Sequence, residues 1–361
     1  MKILVFISKL HGGGAERVAS LLINHLHIHH NIIVALFNTN EKSYHIDDKI
    51  EIIDLSKGKR IRPYQLNRIV KCRKAIKDVN PDIIISFLVG LNRFTVISNC
   101  FTRKKLILSE QTSIQAKQPL WEWLTRHTLY RFASKVVFVS KSDYEYAKWL
   151  KNRTFIYNPL SCSTITDNGK REKTIVAISS QRRWHVKGFD LLIYAWAKIK
   201  SLHPDWKLQF IGANDDNYIC DLAKSCGLKN QVDFLGWTDD IDKVLRTKSI
   251  YVLSSRREGF PCSLLEAMSQ GCSCVAFNCK TGPNEIITNG KSGLLARNGD
   301  VDDLAAKLQL LIEDENLRQL LSAGAVEEVK QFDKELIMKQ WDKLIQLIID
   351  DNPTCFQNGC S

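Results

Sequence analysis

Short apolar runs alternate with stretches whose apolar residues recur at helical spacing, and the alternation persists through nearly the whole chain. The first run, Ile3-Leu4-Val5-Phe6-Ile7, ends in a glycine-rich loop, and residues 15–26 then carry apolar side chains with a period near 3.6. Strand, glycine loop and helix in that order open a doubly wound parallel sheet. The same rhythm predicts buried strands at residues 32–37, 83–87, 106–108 and 136–139, with helices between them. It lapses after Asn158-Pro159-Leu160, where residues 161–173 are polar and unpatterned and read as a linker. Strands are expected again at residues 174–178, 208–211, 232–235, 250–253 and 274–277. The chain therefore divides into two α/β domains, residues 1–160 and 174–334. A last helix over residues 335–349 is expected to pack back on the first domain, ahead of a polar tail at 350–361.

A length of 361 residues agrees with two cores rather than one. With 44% hydrophobic and 25% charged residues, disordered and fibrous classes are excluded. Charge changes the picture more. Residues 1–157 hold 26 Lys/Arg against 12 Asp/Glu, a balance of +14, whereas the remainder holds 25 against 27. So basic a first domain suits an anionic partner: phospholipid, a lipid diphosphate or nucleic acid. The 11 cysteines are scattered and none has zinc spacing; Cys272, Cys274 and Cys279 sit among apolar residues. Reduced core thiols are expected, and a structural metal is not. The apolar start is too short for a secretion signal, and the longest apolar stretch, residues 83–91, falls well short of the ~20 residues a spanning helix needs. A cytoplasmic location is expected.

Candidate chemistry concentrates in loops that follow strands. His11-Gly12-Gly13-Gly14-Ala15-Glu16-Arg17 brings bare backbone to a helix start, where a phosphate or sugar can approach closely. It fails as a dinucleotide fingerprint, because the third glycine position is Arg17 and no acidic ribose ligand ends the second strand. In the second domain, Glu258-Gly-Phe-Pro-Cys-Ser-Leu-Leu-Glu266 follows the strand and loop Tyr251-Val-Leu-Ser-Ser-Arg-Arg. Gly259 and Pro261 break the chain, which leaves Glu258 on a loop and Glu266 on the first turns of a helix. A carboxylate there can accept hydrogen bonds from two ribose hydroxyls, while the amides of residues 260–263 face a diphosphate. Arg182 and Lys187, after the strand at 174–178, place two cations at the same sheet edge, where they can neutralise a departing diphosphate. Taken singly, each of these charges is ordinary solvated surface. Their combination points to a site.

These residues together resemble the retaining glycosyltransferases of family 4, whose fold, GT-B, has two Rossmann-like doubly wound domains facing a cleft. The likeness covers nearly the whole chain: GGAER near the start, SEQ at 109–111, RxxxxKG at 182–188, LGW at 235–237, EGFPCSLLEAMSQG at 258–271, GPNEII at 282–287 and NGKSGLL at 289–295. It implies that Arg182 and Lys187 hold the donor diphosphate and that Glu266 is the ribose ligand, with Ser263 and Leu265 beside it. Glu258 matches the acidic residue next to the transferred sugar, Gly13 and Gly14 match the glycine loop, and Trp237 with Thr238 lie near the base. Family members need no metal, and Asp300-Val301-Asp302, although of DxD form, reads as a helix cap. Retention in the family proceeds by front-face attack, which leaves Glu258 as an orienting or charge-stabilising group.

Two departures stand out. Many relatives have a donor-contacting histidine after a Ser-Glu pair, but Ser109-Glu110 is followed here by Gln111, which neither becomes cationic nor shuttles a proton at neutral pH. Gln111 is retained as a donor contact only. A glycine-rich GDG is replaced by Gly212-Ala213-Asn214-Asp215-Asp216.

The implied substrates are a nucleotide sugar, either UDP-hexose or UDP-N-acetylhexosamine, and a glycan carried on a polyprenyl diphosphate, with no cofactor. The basic clusters at residues 57–62, 68–77 and 103–105, with Trp121 and Trp123 beside Arg126 and Arg131, suit peripheral attachment to the inner face of the cytoplasmic membrane. Each cation near an anionic surface is worth about 1 kcal/mol. Three readings compete: a sugar-nucleotide epimerase of the same architecture, a nucleic-acid-binding protein, for which no recognition motif is present, and a scaffold that binds nucleotide sugar without turning it over.

Overall fold

The predicted apolar runs assemble into two sheets, each made of parallel strands. The computed structural model describes residues 1–39, 44–57, 64–165, 169–179, 183–213, 218–238 and 240–350. The chain forms two compact units, Met1–Pro159 together with the C-terminal helix Lys334–Asp350, and Leu160–Asp333.

The first unit contains β1 (Lys2–Ile7), β2 (Asn31–Leu36), β3 (Glu51–Asp54), β4 (Ile83–Phe87), β5 (Lys105–Glu110), β6 (Lys135–Phe138) and β7 (Arg153–Phe155), in the spatial order β3-β2-β1-β4-β5-β6-β7. Ile3 pairs with Ile32 on one side and Ile83 on the other, so the continuous apolar runs lie in register and bury both sheet faces. The second unit contains β8 (Glu172–Ile178), β9 (Lys207–Ile211), β10 (Val232–Leu235), β11 (Lys248–Leu253), β12 (Ser273–Phe277) and β13 (Leu294–Ala296), in the order β10-β9-β8-β11-β12-β13. Its core joins Ile175, Phe210, Val252 and Phe277 to Trp196 of the helix Phe189–Ile199. Cys272 and Cys274 are free, buried thiols, and burial pushes Cys272 up to about 12.

Three strands escaped the pattern. β3, β7 and β13 are three or four residues long, and β3 and β7 are only half buried at a sheet edge, too short and too mixed to show a period. The expected linker also begins differently. Leu160 N–H donates to the Phe332 carbonyl at 2.7 Å, Ile165 N–H to the Ser269 carbonyl at 3.0 Å, and Gln270 Nε2 to the Ser163 carbonyl at 2.8 Å. Residues 160–165 are thus bonded onto the second unit through backbone groups, which leave no hydrophobic signature.

The helix Lys334–Asp350 buries a stripe of Ile337, Met338, Trp341, Leu344, Ile345 and Ile348 and contacts the helix Gly14–His27. Asp342 is hydrogen-bonded to His25 Nε2 at 2.9 and 3.0 Å. Lys105 Nζ donates to the carbonyls of Ile348 and Ile349, where a cation also complements the helix dipole. Trp341→Ala is expected to destabilise the first unit by about 3–5 kcal/mol. In differential scanning calorimetry the transition of that unit should move down while that of the second unit stays in place.

Candidate functional site

In each sheet the strand order turns back between two central neighbours, β1 beside β4 and β8 beside β11. Loops leaving the carboxyl ends of such a pair diverge to opposite faces and leave a crevice. In the second unit these two loops carry the predicted motif residues. The loop after β8 reaches Lys187 and Gly188 ahead of the helix Phe189–Ile199, and the loop after β11 runs through Glu258 to the helix Cys262–Ser269.

The loops touch backbone to backbone. Gly188 has φ +63°, and a Cβ there would collide with the carbonyl oxygen of Ser254. Ser254 Oγ donates to the Lys187 carbonyl at 2.9 Å, and Arg256 N–H donates to the Val186 carbonyl at 2.9 Å. Arg256 also clamps both carboxylate oxygens of Asp190, at 2.8 and 2.6 Å, and that bond raises the guanidinium pKa above its ordinary value. Sequence reasoning passed over Arg256, because a paired brace and a free surface arginine look alike in a sequence.

Lys187 Nζ lies 2.6 Å from Glu258 Oε1, with the two side chains 16% and 10% exposed. Glu258 is fixed from behind. Its carbonyl accepts from Thr281 Oγ1, and a Cβ on Gly282, which has φ +94°, would stand 2.9 Å from both the Gly259 carbonyl oxygen and Pro261 Cδ. Cys279 Sγ donates to the Ser255 carbonyl at 3.0 Å, and burial, with Glu258 nearby, pushes its thiol up to about 12.

Glu266, nearly buried, accepts from Ser161 Oγ at 3.0 Å. Ser263 Oγ accepts from the phenol of buried Tyr251 at 2.8 Å. Leu265 is fully buried, and its side chain fills the core beside Glu266. Pro261 has no N–H, so the run of four amides expected over residues 260–263 is interrupted. Trp237 is half exposed and Thr238 Oγ1 accepts from the Asp240 N–H at 3.2 Å. Both follow β10, whose end is tied to Gly212 through the carbonyls of Leu235 and Gly236 at 2.8 and 3.1 Å. Arg182 lies outside the described residues, as do residues 58–62 and 214–216. The DxD segment is a cap: Asp300 accepts from the N–H groups of Asp302 and Asp303 at 3.0 Å.

In the first unit Gly13 caps the helix Gly14–His27, with the Glu16 carboxylate folded over it. Gln111 Nε2 donates to Ser109 Oγ at 2.9 Å. Its neighbour Glu110 is fully buried and accepts from Arg126 Nε at 3.0 Å, Tyr130 OH at 2.6 Å and Thr112 Oγ1 at 2.7 Å. Burial acts to raise the Glu110 pKa, but the Arg126 charge and these bonds outweigh it and hold the carboxyl below its ordinary value. Arg126 is therefore an interior ion-pair partner, 1% exposed, which corrects its expected place in a membrane-facing cluster. The other members of that cluster are at the surface. Leu120, Trp121, Trp123 and Leu124 of the helix Leu120–Leu124 are all exposed. The Arg93 guanidinium stacks over Trp121 at 4.4 Å, and Trp123, His127 and Trp149 stack in series with centroids 4.3 Å apart.

Residues 163–327 match the sequence family described as Glycosyl transferases group 1. The whole chain is similar to the GalNAc-alpha-(1->4)-GalNAc-alpha-(1->3)-diNAcBac-PP-undecaprenol alpha-1,4-N-acetyl-D-galactosaminyltransferase of Campylobacter jejuni, at 28% identity over 357 residues that cover 96% of this chain and 98% of that protein. The amylovoran biosynthesis glycosyltransferase AmsD of Erwinia amylovora is 27% identical, covering 95% of this chain and 99% of its own. Among solved structures, Anabaena HepE in complex with UDP and glucose superposes with a TM-score of 0.81 at 22% identity, over 96% of this chain and 99% of that one. The likeness is one of fold, GT-B.

The backbone contact at Gly188 can be tested against a second glycine. Gly188→Ala combines a left-handed alanine, which costs about 1–2 kcal/mol, with the collision at Ser254. Gly290→Ala, at φ +79° with open space around it, carries the backbone strain alone. Calorimetry of the second unit should therefore show the larger loss of stability for Gly188→Ala.

Proposed function

We propose that this glycosyltransferase, with its group 1 glycosyl transferase domain at residues 163–327, moves a sugar from a UDP-hexose or UDP-N-acetylhexosamine to a glycan carried on a polyprenyl diphosphate, in surface polysaccharide assembly. The observation that carries the reading is the 2.6 Å contact of Lys187 with Glu258 at the carboxyl ends of β8 and β11, with nearly buried Glu266 on the helix that follows. The names of the Campylobacter and Erwinia relatives support the acceptor class, and the UDP in the HepE structure supports the donor.

In this reading Lys187, with Arg182, holds the diphosphate and offsets the charge that develops as the bond from the anomeric carbon to the phosphate oxygen breaks. Glu266 accepts from the ribose hydroxyls and Glu258 from the sugar. The acceptor hydroxyl attacks from the face the leaving group departs from and gives its proton to the departing phosphate oxygen, so the anomeric configuration is retained, as in family 4. Protein cations stand where a metal ion would otherwise carry the charge.

The first unit attaches the enzyme peripherally to the inner face of the cytoplasmic membrane. Supporting this are its charge balance of +14 and the exposed helix Leu120–Leu124 with its tryptophans, since Trp favours the headgroup region. Among the described residues no helix is long and apolar enough to cross a membrane.

Calorimetric titration with UDP, GDP and UDP-sugars in EDTA tests the donor site. UDP is expected to bind, and Glu266→Ala, with its fold checked by melting, to weaken it at least tenfold; no binding of any nucleotide by the wild type would overturn the reading. For the membrane, flotation with phosphatidylglycerol vesicles at low salt should carry the wild type upward and the Trp121→Ala/Trp123→Ala double variant much less. Wild-type protein left at the bottom of the gradient refutes attachment.

A further inference from the structure

Lys187 and Glu258 sit on two loops whose backbones are locked. The Lys187 carbonyl is held by Ser254 Oγ, and Gly188 is pressed against the Ser254 carbonyl. The Glu258 carbonyl is held by Thr281 Oγ1, with Gly282 packed on Gly259 and Pro261. Each main chain is held by these contacts, so a change in the 2.6 Å ion pair is expected to fall mainly to the side chains. Both are largely shielded from water, where a charge deprived of its partner is costly.

The cation that the reading above assigns to the diphosphate is thus already neutralised by a resident carboxylate. A phosphate that approaches Lys187 must share the ammonium with Glu258 or take it, and in both cases a second anion comes close to Glu258. What Glu258 then needs is a hydrogen-bond donor. The hydroxyls of a sugar attached to the diphosphate can supply one, whereas in a bare nucleoside diphosphate the ribose hydroxyls are engaged at Glu266 in the reading above and the terminal phosphate offers only acceptor oxygens. A bare diphosphate also brings one more ionisable oxygen on its terminal phosphate.

We infer that Glu258 is a specificity-determining residue that sets the preference for a sugar-bearing nucleotide over the bare nucleoside diphosphate, by competing with the phosphates for Lys187. Sugar-bearing nucleotide satisfies the ammonium and the carboxylate at once; the bare diphosphate satisfies only the ammonium. Product therefore leaves the site as Glu258 reclaims Lys187. The inference rests on the donor-site reading and goes beyond it, since holding a sugar in place predicts no effect on the bare nucleotide.

The test is calorimetric titration of wild type, Glu258→Gln and Glu258→Asp with UDP and with UDP-glucose, UDP-N-acetylglucosamine and UDP-N-acetylgalactosamine, each variant first shown to melt cooperatively. Glu258→Gln removes the competing charge and keeps the shape, so UDP should bind at least about tenfold tighter. The ratio of the UDP Kd to the Kd of the best UDP-sugar should fall by a similar factor. Glu258→Asp keeps the charge, so its ratio should stay near that of the wild type. A ratio unchanged in Glu258→Gln, UDP binding weakened by it, or the same change in both variants overturns the role of Glu258 and leaves the donor site standing. Wild-type protein that binds none of these nucleotides overturns the donor site itself, and the inference with it.

Discussion

Connections between neighbouring parallel strands must cross a face of their sheet, and they do so with one hand. A sheet wound outward in both directions from a central strand therefore has one place where adjacent loops part. In the second unit that place is between β8 and β11, and what the unit offers chemically depends on it. Lys187 and Glu258 are 71 residues apart in sequence and 2.6 Å apart in space because they lie on the two loops that leave those strands. The fit is made tight by a glycine, since at Gly188 the loop after β8 lies directly against the carbonyl of Ser254.

The two units each carry a shielded ion pair, and they differ in how it is finished. Glu110 accepts from a guanidinium, a phenol and a hydroxyl, and its partner Arg126 is braced in turn by Glu122 and Thr112. A network completed in this way gains in rigidity and holds the turn after β5, where Gln111 sits. Lys187 and Glu258 are joined by one bond at the mouth of two loops. An ammonium has three donors and a carboxylate about four acceptor sites, so this pair keeps capacity for other partners. The first arrangement suits a fixed scaffold, and the second suits a site where charges change partners.

Much of this was legible in the sequence. The runs at Ile3 to Ile7 and at residues 83–87 gave their strands because a doubly covered parallel strand must be apolar throughout. Glu258, Glu266 and Lys187 were singled out because glycine and proline breaks mark where strands end and loops begin, and the structure sets Lys187 against Glu258 at the ends of β8 and β11. The edge strands β3, β7 and β13 were not found, since a strand of three or four residues carries no measurable period. The bonding of residues 160–165 to the second unit was hidden for another reason: it is made mainly by backbone groups, which every residue possesses.

By itself, then, the sequence determined the winding of the two units, the positions of their loops and the residue types able to meet a sugar nucleotide, because hydrophobic period and chain-breaking residues act locally. Only the tertiary structure decided which charges meet. Arg126 and Arg131 read alike as surface cations, yet Arg126 is buried on Glu110, and Trp121 and Trp123, which could have been core, are exposed. That Leu265 lies in the core, and that Lys187 faces Glu258 rather than solvent, are likewise decided by packing. A charge or an aromatic ring takes its role from its surroundings, and these are brought together from distant parts of the chain.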